Sequence, residues 1–180
     1  SHQKLVWQIN FPTSTSNDVC LVRIGLLYLV FSKAINAQMY RNASTMNINQ
    51  TMRADLLSFI APLHRAFKGK IIWMLLAPVS QEFGDCGQGS CFLDVGLVNK
   101  VLREVLAEQK QEHIIDPTPF HTKAFMKSKT TTLDVGDGHV VEGYMDPFHF
   151  GGSALDNTID AVFEEIEGFH DAKIDPKLLP

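Results

Sequence analysis

The sequence predicts an α/β fold in which helices cover both faces of a doubly wound parallel sheet, giving three layers. Residues 18–31 and 70–79 are aliphatic and β-branched with almost no polar alternation, which is typical of strands buried on both faces. Amphipathic segments follow each of them, and a short third apolar segment, "EHIID", comes next. The order strand, helix, strand, helix, strand implies right-handed crossovers and hence parallel pairing.

Length and composition predict one globular domain. The chain has 180 residues, 45% of them hydrophobic and 20% charged, which suits a single domain with a real core. We expect the core over residues 18–168 and a surface tail over 169–180. The net charge of -4 gives no electrostatic reason to expect nucleic acid or an anionic membrane as a partner.

The first strand and first helix are predicted over residues 18–31 and 51–67. The strand region contains Arg23 and is shorter than the roughly 20 residues of a membrane span, so no span is expected in this chain. The helix contains Pro62, which should bend it. Apolar side chains recur through it at helical spacing: Met52, Leu56, Phe59, Ile60, Leu63 and Phe67.

The second strand is expected to end at Pro78, and a glycine-rich loop over residues 80–92 follows it. Asp94 is a candidate N-cap for the next helix. The predicted buried face of that helix consists of Val95, Val98, Val101, Leu102, Val105 and Leu106.

About thirty turn-rich residues lie between Pro119 and the last helix, and a loop region of that length in a compact domain is usually functional. The last helix is predicted to begin near Ser153, with Asp156 completing a variant of the capping box. Its expected buried face consists of Leu155, Ile159, Val162, Phe163 and Ile166.

Weak signals favour the secretory pathway. Cys86 and Cys91 bracket a flexible loop and are candidates for a disulfide, although free thiols are an equal alternative. Asn42 and Asn49 each begin an Asn-x-Ser/Thr acceptor pattern for N-glycosylation. Together they favour a secreted or luminal glycoprotein, although no signal peptide is visible in the sequence.

The motif "DPFH" at residues 146–149 predicts the acid and base of a hydrolase triad. In such a triad a carboxylate holds one imidazole nitrogen, which leaves the other nitrogen free to take a serine proton. Pro147 keeps Asp146 extended, and three residues of turn can bring that carboxylate under His149. The glycines at 151 and 152 then allow the entry into the last helix.

Other interpretations of this region stay open. Asp137 and His139 compete for the same roles, and any Asp and His three positions apart in a loop form this pattern, so Asp146 is also suited to cap a turn beside a histidine packed on a helix end. The two aspartates and two histidines together also form a candidate metal site, but no recognised ligand spacing is present, so no metal is predicted. No glycine-rich phosphate loop follows a strand, which disfavours a flavodoxin-like binding domain, and no cofactor is predicted.

The order of these segments resembles the C-terminal two thirds of an SGNH (GDSL-type) hydrolase, particularly of the PC-esterase branch. That branch includes the luminal domain of sialate O-acetyltransferases and the trichome-birefringence-like acetyltransferases. The resemblance covers residues 18–163 and depends on "DVCLVRIG", "ADLLSFIAPLHRAF", "KIIWMLLAPV", "LVNKVLREVLAE", "HIID" and "DPFH". It implies hydrolysis or transfer of O-acyl esters, often on carbohydrate, with Asp146 as acid and His149 as base.

Two features depart from the family pattern. The Gly-Asp-Ser nucleophile block is absent, and the block that normally supplies an oxyanion donor begins at Gly25 but has Leu27 in place of asparagine. Ser14 and Ser16 precede the first strand, and Ser153 is too close to His149. The sequence therefore predicts a base and acid without their serine, so either a missing segment or companion chain supplies it and covers the open sheet edge, or the domain is a non-catalytic module.

Overall fold

The computed structural model describes residue 11 and residues 13–24, 48–80, 95–128, 143–144 and 149–171. Five strands occur in this part of the chain: β1 (Val19–Arg23), β2 (Lys70–Met74), β3 (Ile114–Ile115), β4 (Gly143–Tyr144) and β5 (Phe150–Gly151). The α-helices are α1 (Ile48–Ala66), α2 (Val95–Glu108), α3 (Lys123–Lys127) and α4 (Ser153–Asp171), and a short 3-10 helix spans Thr118–Phe120.

Strands β1, β2 and β3 form a sheet in that order, with β2 in the centre. Strand β1 pairs with β2 in parallel, in a register that places Val19 opposite Lys70 and Arg23 opposite Met74. The predicted α/β fold with a parallel sheet is confirmed. The helix α1 between the two parallel strands supplies the long crossover that such pairing requires.

The chain divides into two compact units. The first takes residues from Ser1–Leu76 and Gly84–Ile114, and the second takes residues from Ala77–Phe83 and Ile115–Pro180. The core of the first unit lies among β1, β2, α1 and α2. Its fully buried side chains include Met52, Leu56, Leu63, Trp73, Leu102 and Leu106. Burying each aliphatic side chain of this set contributes about 1.5–3 kcal/mol.

Helix α2 follows the predicted pattern. The expected positions Val98, Val101, Leu102, Val105 and Leu106 are buried, and Val95 packs against the same core. Between them lies Asn99, whose amide accepts from the Leu76 backbone N–H at 2.9 Å and donates to the Leu76 carbonyl at 2.8 Å. This amide therefore satisfies the backbone of the segment that follows β2.

Helix α4 differs from its predicted orientation. The predicted core residues Leu155, Ile159 and Phe163 are exposed by 39%, 42% and 58%. The helix instead buries the small side chains Ala154 and Thr158. Ala154 packs with aromatic rings that the hairpin β4–β5 and α3 provide. The prediction was wrong for these three residues, because the small residues allow a closer approach to those rings than the larger aliphatic side chains do. The other two predicted positions, Val162 and Ile166, are partly buried.

No helix in the described ranges combines the length and the apolar character needed to cross a membrane.

Candidate functional site

Two antiparallel strands in the second unit flank the Asp-x-x-His motif in the sequence. Gly143 pairs with Gly151 and Tyr144 pairs with Phe150, and of the residues between these strands only His149 is described. His149 is exposed and directly precedes β5. The base that the sequence predicts is thus accessible, and its backbone is continuous with a paired strand.

Two glycines permit the backbone path into and out of this hairpin. Gly143 has φ of 125°, and a Cβ placed there would lie 2.5 Å from the Ser128 hydroxyl oxygen. Gly152 has φ of 66° and links β5 to α4. Its carbonyl accepts from the backbone N–H groups of Leu155 and Asp156, so the first bonds of α4 begin at this residue. Any other residue at either position would be strained.

The hairpin rests on a cluster of aromatic side chains. Phe125 and Tyr144 are buried, and Phe150 packs against them. The His121 ring meets the Phe150 ring edge-on, with centroids 4.4 Å apart, and meets the Phe125 ring in the same way at 5.4 Å. Edge-to-face pairs of this kind contribute about 0.5–1.5 kcal/mol beyond area burial. The residues on both sides of the 145–149 connection are therefore held by one cluster.

Tyr144 joins this cluster to the chain that follows β2. Its hydroxyl lies 2.5 Å from the Pro78 carbonyl oxygen and 2.7 Å from Nδ1 of His121. Burial raises the pKa of the phenol, so the neutral form persists well above pH 10. Nearby, the Ser80 hydroxyl donates to the Met126 carbonyl at 2.7 Å, which attaches the same segment to α3.

Several predicted site residues lie outside the described residues. These are Asp146, the competing pair Asp137 and His139, the oxyanion position Gly25, the cysteines Cys86 and Cys91, and the acceptor Asn42. Asn49 falls in the first turn of α1. Among the residues that the structure does describe, no three His, Cys, Asp or Glu side chains are grouped so as to hold a metal ion.

Each serine described in the second unit either donates its hydroxyl proton to a backbone carbonyl or begins a helix. Ser80 is fully buried, and its hydroxyl and that of Ser128 donate to backbone carbonyls. Ser153 is the first residue of α4. In the first unit, Ser14 accepts from the Lys68 N–H at 3.2 Å and contacts the Ala66 carbonyl at 3.4 Å, which ties the turn before β1 to the end of α1.

Sequence reasoning missed His121 and Tyr144. Both fall in the long turn-rich region that was expected to be functional, but they are 23 residues apart and share no short motif. The one available signal was composition, since the polar groups of histidine and tyrosine need partners when buried. That signal does not distinguish His121 from His139 and His149 in the same region.

No protein-family model and no curated protein matches the sequence. Among solved structures, the chain is similar to a catalytic mutant of Axe2, an acetylxylan esterase from Geobacillus stearothermophilus, with 13% identity and a TM-score of 0.45. The match covers 83% of this chain and 59% of that chain, so this chain spans less than two thirds of the esterase's length. A similarity of this size carries no argument about the activity of this chain.

Proposed function

We propose that this chain is the acid- and base-bearing part of a serine-dependent esterase or O-acyltransferase of the SGNH type, acting on O-acyl esters such as those of carbohydrates. The observation that carries the proposal is the position of His149. It is exposed at the end of a short connection whose flanking residues, Tyr144 and Phe150, are paired and packed in a buried aromatic cluster. A catalytic base needs this combination of an accessible ring and a rigid support.

In the proposed reaction His149 accepts the proton of a serine hydroxyl as the serine oxygen attacks the ester carbonyl. The same proton then passes to the departing alkoxide, which leaves an acyl-serine. Asp146 holds the imidazole in one tautomer and stabilises its protonated form. Water completes the reaction in an esterase, and an acceptor hydroxyl completes it in a transferase.

The nucleophilic serine is proposed to come from outside the described residues, either from another segment or from a companion polypeptide that also covers the open sheet edge. The position of β1 supports this. It occupies an edge of the described sheet, and Leu21 within it is 44% exposed, although its sequence is typical of a strand buried on both faces. The secretory location, the Cys86–Cys91 disulfide and glycosylation at Asn42 and Asn49 remain proposals of the same kind.

A fluorophosphonate probe on the fully assembled native protein tests the proposal, because it labels only a serine that is activated by a base. We expect one labelled serine in the wild type. We expect labelling and ester hydrolysis to fall by about 10³-fold or more in His149→Ala. His64→Ala, which removes another exposed histidine, should leave both unchanged. Full labelling of the His149→Ala variant, or none of the wild type, would contradict the proposal.

A non-catalytic module in a larger assembly is the second candidate. It is favoured by the exposed apolar side chains Leu155, Ile159 and Phe163, which follow one another at helical spacing on α4. Such a stripe on a soluble domain is a feature of contact surfaces. In that case the assembled protein should bind its partner equally well with His149→Ala, and no serine should react with the probe.

A further inference from the structure

The Tyr144 hydroxyl has two hydrogen-bonding neighbours that determine where its proton lies. The Pro78 carbonyl oxygen, at 2.5 Å, has no proton and can only accept. The phenol has one proton, and at this short distance it must point to that carbonyl, since two bare oxygens would repel each other.

The histidine neighbour must then be the donor. Nδ1 of His121 lies 2.7 Å from the Tyr144 oxygen, whose proton is already committed to Pro78. A hydrogen bond across this distance therefore requires a proton on Nδ1. In a neutral imidazole that leaves Nε2 as the acceptor nitrogen, which is the less common of the two tautomers in free histidine. The contact thus selects one tautomer of His121.

The same two residues contact the chain on either side of the segment that contains His149. Tyr144 immediately precedes residues 145–149, and its backbone N–H donates to the Ser128 carbonyl at 3.1 Å. Phe150 immediately follows His149, and the His121 ring packs edge-on against it at 4.4 Å. His121 and Tyr144 are themselves buried, with 5% and 0% exposure. Each side of the connection is consequently fixed by one member of the pair.

We propose that the chain of hydrogen bonds from His121 through Tyr144 to Pro78 is a positioning device that sets the orientation of His149. Tyr144 and His121 are positioning residues in this account, since they act on the connection and not on substrate. The effect on catalysis depends on the proposed function, whereas the tautomer of His121 and the coupling to His149 do not.

Nitrogen-15 NMR of the histidine rings tests the proposal without any assay of activity. In the wild type we expect the His121 ring to carry a proton on Nδ1 at neutral pH. Tyr144→Phe should abolish that preference and shift the ring resonances of His149. Thr158→Val is the matched control, because it removes another buried hydroxyl of the same unit, which donates to Ala154, and leaves the network intact.

Kinetics then tests the consequence for catalysis. If the assembled protein hydrolyses esters, Tyr144→Phe should lower kcat by about 10- to 100-fold with little change in KM, because a misplaced base affects the chemical step more than binding. His121→Gln, whose amide can still donate to the Tyr144 oxygen, should retain more of kcat than His121→Leu. Equal losses in the two His121 variants would point to packing alone and overturn the positioning role.

The outcomes separate the two proposals. A proton on Nε2 in place of Nδ1 of His121, or His149 resonances that are the same in wild type and Tyr144→Phe, would overturn the positioning device whether or not the protein is an esterase. The expected tautomer and coupling in a protein that hydrolyses no ester would support the device and refute the proposed function.

Discussion

At the residue scale, the buried phenol of Tyr144 makes a prediction about alkaline stability. Its pKa is raised by burial above the ordinary value of 10.0, so the folded state keeps the proton at pH values where the unfolded state loses it. The unfolded state then binds fewer protons, and stability decreases as pH rises above about 10, by up to about 1.4 kcal/mol per pH unit.

Tyr144→Phe should remove that contribution. Urea titrations from about pH 8 to about pH 11 should give a shallower alkaline decline for the variant than for the wild type, even though the variant is less stable near neutral pH by about 1–3 kcal/mol. Parallel declines for the two proteins would mean that this phenol titrates normally.

Asn99 provides a second prediction at this scale. Asn99→Ala leaves the buried N–H and carbonyl of Leu76 without their side-chain partner, and we expect it to cost about 2–4 kcal/mol in urea unfolding. Asn157→Ala, at an exposed position of α4, should change stability by less than about 0.5 kcal/mol. A similar small effect at both positions would show that the Leu76 contact is not formed.

The sequence could suggest partners only for residues that are close in the chain. Asp146 and His149 were paired because they lie three positions apart, and this pairing stays a prediction because Asp146 lies outside the described residues. The partnership of His121 with Tyr144 could not be predicted, since it arises only when the hairpin β4–β5 packs against the residue that follows the 3-10 helix. Asn99 was visible as a polar residue within an apolar helix face, but its backbone partner was not.

At the scale of elements, α4 offers the sharpest test of the structure against the sequence pattern. Phe163→Gln should change stability by less than about 0.5 kcal/mol, because the ring is 58% exposed. Phe169→Gln, in the same helix but 8% exposed, should cost about 3–5 kcal/mol. Thermal or urea unfolding measures both. A large loss of stability in Phe163→Gln would mean that the ring is buried, as the sequence pattern predicts.

Hydrophobic periodicity succeeded for α2 and failed for α4 for a physical reason. Large aliphatic residues of α2 lie against a sheet and another helix, and the pattern predicts that packing directly. In α4 the buried residues include Ala154, Thr158 and Phe169, and Ala154 packs directly against the aromatic rings of the second unit. A small residue beneath an aromatic cluster has no signature in a count of apolar positions.

At the scale of the whole molecule, the edge of the three-stranded sheet predicts concentration-dependent association. Leu21 is 44% exposed on β1, and an apolar edge strand is a template for pairing with another chain. Leu21→Lys should reduce self-association in sedimentation velocity while leaving the unfolding free energy within about 1 kcal/mol. Identical sedimentation of the two proteins across concentrations would argue against an open edge.

The parallel sheet itself was predictable, because continuous apolar segments alternate with amphipathic helices along the chain. The division of the chain into two compact units was not predictable. The boundaries between the units fall at residues 77, 84 and 115. Pro78, the glycine-rich loop at 80–92 and Pro117 lie near them, but such residues also mark ordinary turns within one unit. Contacts between residues that are far apart in the chain decide such a division. The pattern of apolar and polar residues along the sequence contains little information about those contacts.

Trp73 gives the first unit its own optical signal. The indole is fully buried, and its N–H donates to Gln111 at 3.0 Å. The only other tryptophan in the sequence is Trp7, and the second unit contains none. In Trp7→Phe, tryptophan fluorescence would therefore report the solvation of the Trp73 ring in the first unit. The helical signal in circular dichroism would include the long α4 of the second unit. Coincident or separated transitions by these two probes would reveal whether the units melt together.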